Sequence, residues 1–362
     1  MSWKNTPLIE EHKELGAKLA PFGGWLMPIQ YTGIIAEHNW TRSSCSLFDI
    51  CHMGEFIIHG NPDENNLEKI ITLNIKKIEC SSCRYGFILD ENGGIMDDVI
   101  IYKIEPDKYM LVVNAATTDT DLLHLRMNIP EKFEIENLSP KLAKLDLQGP
   151  CSRDVLSAIA GDGIASLKYY SFGKFSVLGE EIIISRTGYT GELGYELYIS
   201  NEKVVQLWEM LLQDGRVKPA GLGARDTLRL EMSYPLYGQD INKQTNPLDA
   251  GLEKFIDLSK DFIGKGRLME KIDPDSEKKL CCFITESRRA PRHDYNIYKG
   301  EEKIGIVTSG SFSPSLSCGI GMGYVQKEYS RIGNEIILKE GPITLNAKIV
   351  DRPFYKQGTA RA

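Results

Sequence analysis

Long apolar runs are missing from this 362-residue chain. None approaches the about 20 residues that a membrane-crossing helix needs. The opening MSWKNTPLIEEHKEL has no apolar signal core and no Arg-rich transit pattern, so a cytosol-type protein is expected. An excess of positive charge is missing as well. Lys and Arg number 43 against 50 Asp and Glu, for a net charge of −7. A sequence-independent nucleic-acid binder needs a cationic footprint, and no nucleic-acid partner is expected. Any anionic ligand must be met by a few local cations.

Disulfide-scaffold spacing is absent among the 8 cysteines, at positions 45, 51, 80, 83, 151, 281, 282 and 318. The chain is also far longer than such scaffolds, which points to a reducing, intracellular setting. Cys80-Ser-Ser-Cys83 has the spacing of half a zinc site, but no second CxxC or His pair follows it, and no metal is expected. Nucleotide fingerprints are incomplete. Gly221-Leu-Gly-Ala-Arg-Asp226 lacks the third glycine, and Gly264-Lys-Gly-Arg267 lacks the Walker spacing. Cys51-His52 is set aside as a nucleophile and base, because strand neighbours point to opposite faces; both are expected to be buried structural residues.

What is present is ordinary globular composition, 42% apolar and 26% charged, in a length that suits two or three domains. A helix is expected over 8–19, an irregular aromatic loop over 21–28, and a second helix over 33–40. A third helix is expected to start at Asn61-Pro62-Asp63. Strands are expected over 55–59, 85–89, 96–104 and 109–114, with Asn92-Gly93-Gly94 as a turn and Thr117 capping a further helix. The order resembles an antiparallel sheet covered on one face, an α+β pattern. Similar grammar returns in strands around 142–148, 174–186 and 195–199 with two helices. In one of these Val204, Leu207, Trp208, Leu211 and Leu212 share a face. After about Pro274 short strands alternate with Gly, Pro and Ser turns, which predicts a small all-β domain behind a linker within Ile272–Lys278.

Three features invite a functional reading. Asp97 and Asp98 open an apolar strand, point to opposite faces, and one must face inward or into a cleft. Between Gly188 and Glu196 glycine is denser than a strand connection requires, and Glu196 falls on the following strand. A backbone approach to a ligand and a twisted hairpin with an exposed Glu are equally good readings. Arg225 and Arg229 share a helical face, unfavourable unless a carboxylate or anion sits opposite.

Several ordered segments carry a resemblance: Phe22-Gly-Gly-Trp-Leu-Met-Pro-Ile-Gln-Tyr31, His52-Met-Gly-Glu55, Gly93-Gly-Ile-Met-Asp-Asp98, Val112-Val-Asn-Ala-Ala116, Leu147-Gln-Gly-Pro150, Arg186-Thr-Gly-Tyr-Thr-Gly-Glu192, Gly221-Leu-Gly-Ala-Arg-Asp226 and Thr308-Ser-Gly-Ser-Phe-Ser-Pro314. From about Thr6 to Tyr355 the chain resembles the T-protein family of the glycine cleavage system, aminomethyltransferases that use tetrahydrofolate. The resemblance implies a three-domain cloverleaf around a central folate channel. Two of its domains are α+β, the first formed by 1–50 with 140–273 and the second by 51–139, and residues 274–362 form a barrel-like third. It implies transfer of a one-carbon unit from the aminomethyl-lipoyl arm of the H-protein to tetrahydrofolate, with no metal and no nucleotide cofactor. It also implies a cytoplasmic setting, or a mitochondrial matrix one for a processed eukaryotic chain. Asp98 matches the family's essential carboxylate, Glu196 its pterin-binding carboxylate and Arg225 a folate-site cation. Tyr85, Tyr102, Asn114 and Tyr189 match positions lining the channel, Met53 a wall position and Tyr355 a C-terminal contact.

The chain departs from the family pattern at Cys51, where Ser is usual, at Thr117, where Asn often stands, and at Lys254, where some relatives carry Trp. Two rival readings share the fold. A folate-binding accessory protein would carry a Lys-Gly-Cys signature that Phe262-Ile-Gly-Lys-Gly-Arg267 lacks. An oxidative folate-dependent demethylase is normally fused to a flavin domain, for which this chain has no room.

Overall fold

The computed structural model describes residues 3–270 and 278–362. The expected linker lies outside the described residues except for Lys278, which opens a strand. The described strands form three open sheets, of three, six and five strands, and one closed six-stranded barrel.

The first sheet corrects two expectations. The helix expected over 8–19 spans only Ile9–Glu14. Gly16 takes φ +70°, the left-handed conformation that ends helices, and the chain then enters the strand Lys18–Phe22. The supposed loop over 21–28 belongs to a hairpin of that strand with Trp25–Gln30. Gly23 and Gly24, at φ 54° and 87°, supply the positive φ at both central positions that a twisted two-residue turn requires. The helix expected to start at Asn61 forms only over Leu67–Ile70, because Asn66 in the left-handed region interrupts the lead-in.

The six-stranded sheet runs Phe172–Val177, Glu180–Ser185, Gly194–Ser200, Leu142–Gln148, Cys45–Asp49, Val217–Pro219. Cys45–Asp49 thus pairs with Leu142–Gln148, from far down the chain. The helix Val204–Leu212 lays Val204, Leu207, Trp208 and Leu211 against this sheet in the expected period. The intervening stretch builds the five-stranded sheet, ordered Ser82–Leu89, Ile95–Glu105, Lys108–Val113, Gly54–His59, Ile135–Asn137. It is covered by the helix Thr118–Asn128. Thr117 stands at that helix's N-terminus, but its hydroxyl donates to the Asn114 carbonyl at 3.0 Å and caps no helical N–H.

The barrel closes through Lys278–Thr285, Cys318–Gln326, Glu302–Ser313, Asn296–Lys299, Glu335–Glu340 and Ile343–Val350, so its paired strands leave no open edge. One apolar cluster joins the bodies: Phe87 and Ile95 from the five-stranded sheet, Leu230 from the helix Leu222–Glu231, and Leu280, Met322 and Phe354 of the barrel region. The candidate site lies among elements held by this junction.

Candidate active site

Asp98 sits in the strand Ile95–Glu105 just after the Gly93-Gly94 turn. That turn presses on neighbouring backbone: a Cβ on Gly94 would lie 2.1 Å from the Lys243 carbonyl oxygen. The alternation of the strand sends Asp97 fully inward and leaves Asp98 partly exposed. Asn114 spans both carboxylates. Its backbone N–H donates to Asp97 at 2.9 Å, and its Nδ2 donates to Asp97 Oδ1 and Asp98 Oδ1, each at 2.8 Å. The Tyr85 hydroxyl donates to Asp98 Oδ2 at 2.9 Å. Burial, and next the Asp97 charge, push the Asp98 carboxyl up to about 7, while the bonds from Tyr85 and Asn114 pull it down. Asp97 is driven well above the usual carboxylate range by burial and then by the facing Asp121. Asp98 is thus a partly exposed carboxyl group poised to change charge near neutrality.

A second cluster occupies the inner face of the six-stranded sheet. Asp146 and Glu196 are direct partners across antiparallel strands, and each has its own cation. Lys144 Nζ lies 3.2 Å from Glu196 Oε1, and the Arg225 guanidinium pairs with Asp146. Thr187 donates to Glu196 Oε2 at 2.5 Å. Burial alone would raise Glu196, but Lys144, Thr187 and Arg225 together hold it below the usual range, an ionised group at neutral pH. Glu196 is 6% exposed, so the exposed-hairpin reading gives way to a buried, charged one. The glycines explain the approach: a Cβ on Gly188 or Gly194 would lie 2.2 or 2.1 Å from the Gln148 side chain. Gln148 in turn donates to Asp146 at 2.5 Å and accepts from Thr190 at 2.6 Å.

The paired arginines are answered by carboxylates, as their shared face demands. Arg225 meets Asp146, and Arg229 meets Asp240 at 2.8 Å and Asp226 at 2.7 Å. The Arg225 guanidinium also lies over the Tyr189 ring at 5.0 Å, and Tyr189 stacks on Tyr234.

The expected site residues thus gather in groups. Tyr85 and Asn114 hold Asp98. Met53 touches the Glu196 group through its sulfur, 3.8 Å from Lys144 Nζ. Tyr102 is fully buried, its ring packed on Phe172 and Tyr198, so it has no face to offer a ligand. Its hydroxyl bonds Tyr198 at 2.8 Å and Ser185 at 3.0 Å, and reaches Glu196 at 3.5 Å. Tyr355 stands apart, under the Arg42 guanidinium at 4.2 Å. Arg42 in turn bridges Glu192 at 2.8 Å and Glu231 at 2.9 Å. Lys254 is exposed, and the neighbouring Phe255 packs edge-on against Tyr85 at 4.7 Å. Cys51 and His52 lie in a turn, not on a strand, and both are buried. The residues that sequence reasoning passed over are Lys144, Asp146 and Glu55. Burial pushes Glu55 up to about 8, against the pull of Lys144. The signal was present in Leu142-Ala-Lys-Leu-Asp-Leu-Gln148, where two charges share one face of an apolar strand.

Among the described residues no group of three or more His, Cys, Asp or Glu is placed to hold a metal ion, and no helix is long and apolar enough to cross a membrane.

Mixed α+β sheets with helices and a closed C-terminal barrel, carrying buried and paired ionisable groups, define the class of the protein. Residues 8–260 match the family described as GCVT N-terminal domain, and residues 278–356 match the Glycine cleavage T-protein C-terminal barrel domain. The chain belongs to the glycine cleavage T-protein family. It is 44% identical over 97% of its length to an aminomethyltransferase of Halothermothrix orenii, covering 99% of that protein. It is 41% identical over 98% to one from Caldanaerobacter subterraneus, covering 96%. The crystal structure of the glycine cleavage system aminomethyltransferase T from Bartonella henselae superimposes with a TM-score of 0.93 at 31% identity, covering 99% of both chains.

Proposed function

We propose that this protein is the aminomethyltransferase of a glycine cleavage system. It takes the aminomethyl group carried on sulfur by the lipoyl arm of the H-protein and delivers its carbon to tetrahydrofolate. The products are 5,10-methylene-tetrahydrofolate, ammonia and dihydrolipoyl H-protein. The methylene carbon loses its bonds to sulfur and nitrogen and gains bonds to two folate nitrogens, whose protons end on the thiol and on ammonia. No protein nucleophile is needed, and positioning of the reactants can supply about 7–11 kcal/mol. The observation that carries the reading is Asp98, a partly exposed carboxyl held by Tyr85 and Asn114 and pushed up to about 7. Its charge stabilises the cation that develops as the carbon moves between nitrogens, and its pKa lets it take a proton at that point.

Glu196 receives the exocyclic amine and ring N–H of the pterin, a donor pair suited to a carboxylate. Arg225, Tyr189 and Met53 line the same side, and Tyr102 braces Glu196 through its hydroxyl. Tyr355, fixed under Arg42, forms a more distant wall. We assign residues 1–50 with 140–273, 51–139 and 274–362 to three domains, a division supported by the distribution of strands between the sheets. The bacterial relatives support a cytoplasmic setting. The test is to mix the protein with aminomethyl-lipoyl H-protein and tetrahydrofolate and to measure ammonia and methylene-tetrahydrofolate. Both should appear in equal amounts and only when all three components are present. Ammonia release that ignores folate would refute the reading.

A further inference from the structure

Resting on that reading, we infer that Lys144 helps determine which pteridine the site accepts, by donating a hydrogen bond to the carbonyl next to the ring N–H that Glu196 receives. The edge of a reduced pterin presents, in order, an exocyclic amine, a ring N–H and a carbonyl: two donors and then an acceptor. Glu196 and Lys144, 3.2 Å apart at Oε1 and Nζ, present the complement, two carboxylate acceptors and then an ammonium donor. Lys144 is 2% exposed, and the strong partner of its ammonium is Glu196. Its other neighbours are the Met53 sulfur at 3.8 Å, a weak acceptor, and the face of the Tyr198 ring, with its centroid at 5.0 Å. Another buried carboxyl on that side, Glu55, has an Oε1 with no partner and is pushed up to about 8 by burial, and Glu196 is the carboxylate within ion-pair reach of Lys144. A ligand carbonyl is a stronger acceptor than a thioether sulfur or an aromatic face, and takes over a donor that these hold weakly. Arg225 is paired with Asp146, the cross-strand partner of Glu196, so Lys144 is the cation in ion-pair contact with Glu196.

Replacing the pterin carbonyl by an amine turns the third edge group from acceptor to donor, facing Lys144 with a second donor. It also takes the proton off the adjacent ring nitrogen, so Glu196 loses a donor as well. Lys144 therefore adds its own share to the preference for 4-oxo over 4-amino pteridines, beside that of Glu196. The experiment measures equilibrium binding of tetrahydrofolate and of its 4-amino analogue to the wild-type protein and to Lys144→Met. The variant should bind tetrahydrofolate about 10- to 100-fold more weakly, the worth of a bond to a charged donor, and the 4-amino analogue no more weakly than before. Equal weakening of both ligands, the signature of a mere counter-ion to Glu196, overturns the inference, as does no change in either. Isotope-edited infrared spectra of carbonyl-labelled tetrahydrofolate on the wild-type protein give a second readout that does not depend on the variant folding. The carbonyl stretch should move down on binding, and an unmoved band overturns the assignment. Failure of the wild-type protein to bind tetrahydrofolate at all removes the functional reading itself, and this inference with it.

Discussion

Replacing Asp98 by Asn separates the chemical role of its charge from its structural cost. In the folded protein burial and Asp97 displace this carboxyl from 3.8 to about 7. The unfolded chain therefore ionises first as pH rises, and the folded state keeps the proton between these values. Stability consequently falls across that window and stays reduced above it. The full displacement corresponds to about 4 kcal/mol, and partial exposure of the group to solvent lowers the expected value to about 1–3 kcal/mol. Asparagine cannot ionise. Its carbonyl still accepts from Asn114 Nδ2, and its amide can donate to the Tyr85 hydroxyl once that hydroxyl rotates. The variant should therefore match the wild type near pH 4 and exceed it by about 1–3 kcal/mol above pH 7, read by urea titration at both pH values. Turnover should move the opposite way, down by about 10²–10³-fold, as for loss of one preorganised electrostatic group. The wild-type rate, measured as ammonia release against pH, should rise through about pH 7, and the residual rate of the variant should lose that limb. Near-normal turnover in the variant would refute the catalytic role assigned to Asp98, and lower stability than the wild type at pH 8 would refute its electrostatic cost.

Three further outcomes are expected. Tyr85→Phe removes a hydrogen bond that favours the ionised form of Asp98, so the rising limb of the pH–rate profile should shift to higher pH by roughly half a unit to one unit; a limb that stays in place counts against the pairing. Glu196→Ala should weaken tetrahydrofolate binding by about 10- to 100-fold, with less effect on the rate once folate is bound; isothermal calorimetry and single-turnover kinetics distinguish the two effects. Arg42→Met leaves Glu192 and Glu231 buried without their shared cation, and should cost about 3–5 kcal/mol in denaturant unfolding, whereas a cost below about 1 kcal/mol would show that nearby donors compensate.

The elements with strong periodicity were legible in the sequence. The face of Val204–Leu212, the strands flanking Asn92-Gly93-Gly94 and the all-β C-terminal part all follow from spacing and turn chemistry. The N-terminal hairpin was not, because Pro21 and Pro28 obscure a strand pattern whose determinant is the conformation of Gly23 and Gly24. The pairing of Cys45–Asp49 with Leu142–Gln148 is a long-range choice that no local propensity records. At the site, the two aspartates announced themselves by their cost in an apolar strand. The ion-paired quartet of Lys144, Asp146, Glu196 and Arg225 could be read only as separate charges, since its meaning lies in the register of two strands and a helix. Tyr102 shows the opposite limit: an aromatic at a matching position is wholly enclosed, and only its hydroxyl faces the charges.

The interleaved pairing has a further consequence for how the molecule is made. As the chain leaves the ribosome, Cys-Ser-Leu-Phe-Asp emerges early but cannot pair with Leu142–Gln148 until the whole five-stranded sheet has followed it out. That second sheet draws on one uninterrupted stretch of chain and can close on itself in the meantime. The earliest apolar strand of the central sheet is thus left as a vacant docking edge during synthesis. This is the interval in which a nascent chain is most exposed to wrong partners and in which a holding chaperone matters most.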